Sequence, residues 1–164
     1  MHIRAETAGD AAAISAVVEA AFAGAEHSDG TEVAIVEQLR KAAALTISLV
    51  ATDGTEIVGH VALSPITIDG VDIGWLGVGP VSVLPGRQNQ GIGQALMHEA
   101  LDRARSMGAA GCVVLGEPAY YGGFGFKADE RLSFPGPPPE YFQALAFDGA
   151  IPSGTVAYHK AFGG

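Results

Sequence analysis

The stretch Pro85-Gly86-Arg87-Gln88-Asn89-Gln90-Gly91-Ile92-Gly93 has the residue types and spacing to hold an anion. It lies between an apolar, β-branched run ending at Leu84 and a helical pattern that reaches about Met107. The first N–H groups of a helix have no internal partner, and the helix dipole favours negative charge beside them. Glycines at such a turn let the backbone approach a phosphate closely. Two nucleotide-binding patterns fail here. A P-loop needs G-x-x-x-x-G-K-[ST], and the chain contains no Lys-Ser or Lys-Thr pair. The dinucleotide fingerprint, aligned on Gly91 and Gly93, puts Leu96 where a small third residue belongs. Aligned on Gly77 and Gly79, it meets Pro80 and a strand pattern instead.

The other reactive residue types are sparse. Cys112 is the single cysteine, so no intrachain disulfide forms, and in Gly111-Cys112-Val113-Val114-Leu115 it reads as a buried strand thiol. His2, His27, His60, His98 and His159 are scattered without metal-ligand spacing, so no metal is expected. The formal charge of −9, from 18 acidic against 9 basic side chains, argues against nucleic acid or an anionic membrane surface as partner. The first 60 residues carry nine acids against three bases, an asymmetry that serves solubility or attracts a cationic ligand. Met1-His2-Ile3-Arg4 opens no apolar leader, and the uncharged run from Ile73 is too short and too broken to span a bilayer. A cytoplasmic protein is expected.

The elements that must position the turn follow from periodicity. Ile3–Glu6 is a short strand, followed by a helix with Ile14, Val17, Val18, Ala21 and Phe22 on one face. A polar loop from Gly24 to Gly30 leads to a second helix over 31–44. Strands over 46–52 and 56–68 flank the turn Asp53-Gly54, and Asp69-Gly70 leads into a strand over 71–84. After the glycine-rich turn and its helix come a buried strand over 110–115, a short helix over 117–122, and the rigid loop Pro135–Pro139. Strands over 141–147 and 155–162 close the chain. The order β-α-α-β-β-β-α-β-α-β-β predicts one α/β (α+β) domain over 1–164. Its mixed, mostly antiparallel sheet has about seven strands flanked by about four helices.

With the turn read as Gln88-x-x-Gly91-x-Gly93 after Val83-Leu84-Pro85, the chain resembles the GNAT superfamily of N-acetyltransferases. Their acyl-CoA signature is Q/R-x-x-G-x-G/A after a strand ending in V-x-P. The stretch Gly116-Glu117-Pro118-Ala119-Tyr120-Tyr121-Gly122-Gly123-Phe124-Gly125-Phe126 is similar to their Y-x-x-x-G-F element, in the bacterial form G-(D/E)-P-x-Y-Y-x-x-F-G-F. One motif alone is weak; the ordered pair, joined by a helix and a strand, is specific.

The resemblance implies acetyl-CoA as co-substrate, in a V-shaped opening between the 71–84 and 110–115 strands. Val81, Ser82 and Val83 would pair with the pantetheine arm through their backbone. Gln88, Asn89, Gln90, Gly91, Ile92, Gly93 and Gln94 would hold the pyrophosphate, with Arg87 adding positive charge. Tyr121, four residues before Gly125, stands at the family's general-acid position, and Tyr120 is second. Glu26 and His27, in the loop expected to border the acceptor, and His60 are candidate bases. Many family members place an asparagine ahead of the tyrosine helix; Leu115-Gly116-Glu117-Pro118 has none. The implied acceptor is a small-molecule or protein amine, and a homodimer is compatible with the family. The alternative is a non-catalytic acyl-CoA-binding sensor or interaction module with the same fold.

Overall fold

The computed structural model describes residues 1–23 and 30–163. Among them, in chain order, are β1 His2–Ala5, α1 Ala11–Phe22, α2 Glu32–Lys41, β2 Ile47–Asp53, β3 Glu56–Pro65, β4 Thr67–Ile68 and β5 Trp75–Val83. Then follow α3 Ile92–Ser106, β6 Gly111–Leu115, α4 Pro118–Tyr121, β7 Leu132–Ser133, β8 Phe142–Ala146 and β9 Gly154–Ala157. The chain divides into two compact units. The first comprises Met1–Leu63 with Gly79–Asp102, the second Ser64–Val78 with Arg103–Gly164.

In the first unit the strand order is β1-β2-β3-β5. β1 runs antiparallel to β2, from His2↔Thr52 to Ala5↔Leu49, and β2 antiparallel to β3. Asp53 pairs with Glu56, so the hairpin loop is Gly54-Thr55, one residue later than the Asp53-Gly54 expected. Gly54 has φ 62, and positive φ at the first loop position alone is the II′ requirement. Ile14, Val17 and Val18 of α1 pack with Val36, Val50 and Ile57, the spacing that predicted the helix. α2 stops at Lys41, short of the expected 44. Ala43 adopts φ 55, and Ala44 N–H closes the helix on the Leu39 carbonyl at 2.8 Å. A left-handed alanine leaves no mark in the sequence where glycine would.

In the second unit the order is β5-β6-β8, with β5 parallel to β6 from Trp75↔Gly111 to Gly77↔Val113 and β6 antiparallel to β8. A small sheet, β4-β9-β7, accompanies it. The expected strand over 56–68 is therefore two strands in two sheets, separated after Pro65, which has no N–H to donate. With the unforeseen β7, the described strands number nine in two sheets rather than about seven in one. Asp69-Gly70 is the expected turn, both residues at positive φ (51 and 82). The last expected strand holds only as Gly154–Ala157; Lys160–Phe162 is a single 3-10 turn, capped where Ala161 N–H donates to His159 Nδ1 at 3.0 Å. Trp75, Val113, Leu132, Phe142 and Ala144 form the core of this unit with Ile66, Ile68 and Val156. Cys112 is buried in β6, and burial pushes its thiol up to about 12, as expected of a packing residue. No helix among the described residues is long and apolar enough to cross a membrane.

Candidate active site

Residues 81–94 all belong to the first unit. Leu84 N–H donates to the Val58 carbonyl at 2.9 Å, fixing the end of β5 on β3. Pro85–Arg87 makes one 3-10 turn, and the Gln88 side-chain amide reaches back to the Val83 carbonyl at 3.1 Å. Asn89 then takes φ 63 and Gly91 φ 82. Left-handed residues in a turn aim successive N–H groups toward one side, the arrangement of an anion nest. The Gly91 carbonyl accepts Ala95 N–H at 3.0 Å, the first bond of α3. Ile92, Gly93 and Gln94 therefore open the helix with N–H groups that have no partner four residues back.

The structure adds a reason for glycine at position 91. A Cβ built on Gly91 meets nothing within 4 Å, so glycine is required there by φ and not by crowding of the chain. Ile92 is only 3% exposed, so its side chain packs into the core. Arg87 makes an ion pair with Asp53 at 2.8 Å. Val81 and Val83 are half-buried, while the Ser82 hydroxyl is buried without a partner.

Tyr120 and Tyr121 belong to the second unit, on α4. Pro118 suits the first helical position, and the Glu117 carbonyl accepts Tyr121 N–H at 3.0 Å. The Tyr121 ring lies against Gly116 so closely that a Cβ there would collide with it. Tyr120 meets it edge-on at 4.9 Å and Phe126 at 6.1 Å. Burial, with a smaller contribution from Tyr120, pushes the Tyr121 phenol up to about 12. Tyr120 is 37% exposed, and its phenol is raised by burial to a lesser degree. Sequence reasoning missed Tyr158, whose hydroxyl is buried without a partner. Its ring covers Gly77, where a Cβ would sit 2.6 Å from Cε1. Burial first, then Tyr121 nearby, raises its phenol.

His60 is wholly enclosed in the first unit and not open to solvent. Its Nε2 lies 2.8 Å from Ser48 Oγ, and that hydroxyl donates to the Glu6 carboxylate. Arg40 holds the same carboxylate through Nε at 3.1 Å and through a second nitrogen at 3.2 Å. With the Ser48 proton on Glu6, the serine lone pair takes the His60 Nε2–H. Nδ1 is left as a bare acceptor, buried and without a partner. Burial lowers the imidazole to about 4, with Glu6 opposing and Arg40 assisting. Burial works to raise Glu6, but the hydrogen bonds from Arg40 and Ser48 outweigh it and hold the carboxyl below its usual value. The polar Ser48 inside the apolar run Ile47–Ala51 was the one sequence sign of this network. Glu26 and His27 lie outside the described residues. Among the described residues no three His, Cys, Asp or Glu side chains gather as a metal site.

A family model described as an acetyltransferase (GNAT) domain matches residues 2–128. The Escherichia coli K12 protein named "Uncharacterized N-acetyltransferase YhbS" is 36% identical over 169 residues, covering 99% of this chain and 98% of that protein. A crystal structure of a GNAT family acetyltransferase from Brucella melitensis in complex with acetyl-CoA is similar at TM-score 0.89 and 50% identity, covering 98% and 97% of the two chains. The structure of Escherichia coli YhbS in complex with CoA is similar at TM-score 0.89 and 34% identity, covering 99% and 91%.

Proposed function

The chain belongs to the GNAT acetyltransferases, and from that premise we propose that it moves an acetyl group from acetyl-CoA to a primary amine by direct attack. The whole chain, 1–164, serves as one acyltransferase domain. The observation that carries the reading is the turn into α3. It has two left-handed residues, a helix opening on unpartnered N–H groups, and Gln88 braced on β5. That arrangement fits a pyrophosphate, and the relative from Brucella melitensis is described in complex with acetyl-CoA. The amides of Gln88 to Gln94 hold the diphosphate, and the backbone of Val81 to Val83 pairs with the pantetheine arm as another strand would. Arg87 stands at the rim, shared with Asp53.

Acetyl-CoA supplies an activated thioester, so the protein's tasks are orientation and proton management. A primary amine with a pKa of about 10.4 is neutral in only about one molecule in 2,500 at pH 7, so a proton must leave before attack. The departing thiolate must then be stabilised. Tyr121 stays protonated across the working range because its phenol lies near 12. Against a thiol of pKa about 8.5, full transfer of that proton is uphill by about 5 kcal/mol. Tyr121 therefore acts first as a hydrogen-bond donor to the leaving sulfur, and transfer completes as far as the sulfur is itself desolvated. The acidic first 60 residues favour a cationic acceptor, on a small molecule or a protein.

A panel of amines, read by free-thiol release from acetyl-CoA, tests the proposal. Amine-dependent release is expected. Acetyl-CoA binding without release for any amine would instead identify a binding module.

A further inference from the structure

The rigid Pro135–Pro139 loop borders a cavity of about 610 Å³ in the second unit. That volume falls in the roughly 300–1,000 Å³ range of small-molecule sites. Its walls are apolar: Leu132, Phe134, Pro135, Pro139 and Phe142. Phe134 and Phe142 stack with ring centroids 5.3 Å apart and planes 28° apart. Leu132 and Phe142 are anchored in the unit's core at 5% exposure each. Prolines with fixed φ make the wall stiff before any ligand arrives, which lowers the entropic cost of binding.

The lining is also charged with one sign. Asp129, Glu130 and Glu140 line the cavity, and no Lys, Arg or His does. Asp129 is already satisfied: Arg131 grips both its oxygens, at 2.9 and 2.7 Å, and holds the carboxyl low, at about 2. Glu130 and Glu140 have no ion-pair partner among the described residues. An apolar body with one positive charge matches both features: the apolar walls take up its hydrocarbon, and the two carboxylates attract its charge. An anion of the same shape meets uncompensated carboxylates.

We propose that this cavity is a binding site for an organic ammonium ion carrying an aryl or branched alkyl group. The site stands on its own lining, independently of the acetyl-transfer reading. Calorimetric titration of the full chain with 2-phenylethylammonium and with phenylacetate tests it directly, without reading catalysis. Saturable binding of the ammonium is expected, with the carboxylate at least about tenfold weaker. Ala128 is an exposed lining residue, so Ala128→Phe fills the mouth without disturbing the core and should abolish binding. Glu130→Gln/Glu140→Gln should weaken the ammonium about tenfold, the sum of two rim pairs. Equal affinity for ammonium and carboxylate, undiminished binding by Ala128→Phe, or no saturable binding by the wild type would each overturn the assignment. Far-ultraviolet circular dichroism of each variant establishes that it is folded.

Discussion

The turn at Gly86–Gly93 and the element at Gly116–Gly125 are both rich in glycine, yet Gly91 and Gly116 serve opposite ends. At Gly91 there is open space for a Cβ but the backbone sits at φ 82, so glycine is needed to aim N–H groups. Gly116 needs no unusual φ; the Tyr121 ring occupies the place where its Cβ would be. In the proposed reaction the first region works with backbone donors, the second with a packed side chain whose acidity burial has shifted. Binding of acetyl-CoA should therefore depend on the first region, and turnover on the second.

The largest effect should come from Gly91→Glu. A non-glycine residue at this φ costs about 1–3 kcal/mol, and the added carboxylate would face the diphosphate of bound acetyl-CoA. Acetyl-CoA affinity should fall at least about 100-fold by calorimetry; unchanged affinity would remove the turn from its role. Next is Tyr121→Phe, which should lower kcat by about 100-fold and leave the acetyl-CoA Kd within about twofold. A loss of affinity matching the loss of kcat would break the division between the two regions.

His60 separates a structural from a catalytic role. Its pKa is about 4 when folded, against an unfolded value of 6.5. Below 6.5 the unfolded chain takes a proton that the folded one refuses. The stabilisation is therefore complete above that pH and is lost as pH falls toward 4, by about 3 kcal/mol at most. Denaturant titrations at stepped pH should show this slope in the wild type and lose it in His60→Gln. If His60→Gln instead removes an acidic limb from the kcat profile with the stability slope unchanged, His60 joins the catalytic side. The smallest effect belongs to Arg87→Ala. An exposed pair with Asp53 is worth about 1 kcal/mol or less, and the acetyl-CoA Kd should rise less than about fivefold.

Legibility in the sequence followed the same division. The glycine turn into α3, the Asp69-Gly70 hairpin and the Gly108 stop of α3 are local devices; Gly108 takes φ 88, and Ala109 N–H closes on the Ala104 carbonyl at 3.0 Å. Features made by distant partners were hidden. Ser48 lies 42 residues from Glu6 and 12 from His60, so no window of sequence shows the network that encloses the histidine. The division of the 56–68 run between two sheets and the fit of Tyr158 over Gly77 likewise depend on residues far along the chain.

The central claim, that this chain binds acetyl-CoA through the turn into α3, is tested most directly by thermal unfolding across a series of acetyl-CoA concentrations. At about 100 times Kd the ligand should stabilise the fold by about 2.7 kcal/mol, raising Tm by about 5–10 °C for a chain of this size. Gly91→Glu should abolish that rise. A Tm that stays flat for the wild type at every acetyl-CoA concentration would contradict the claim.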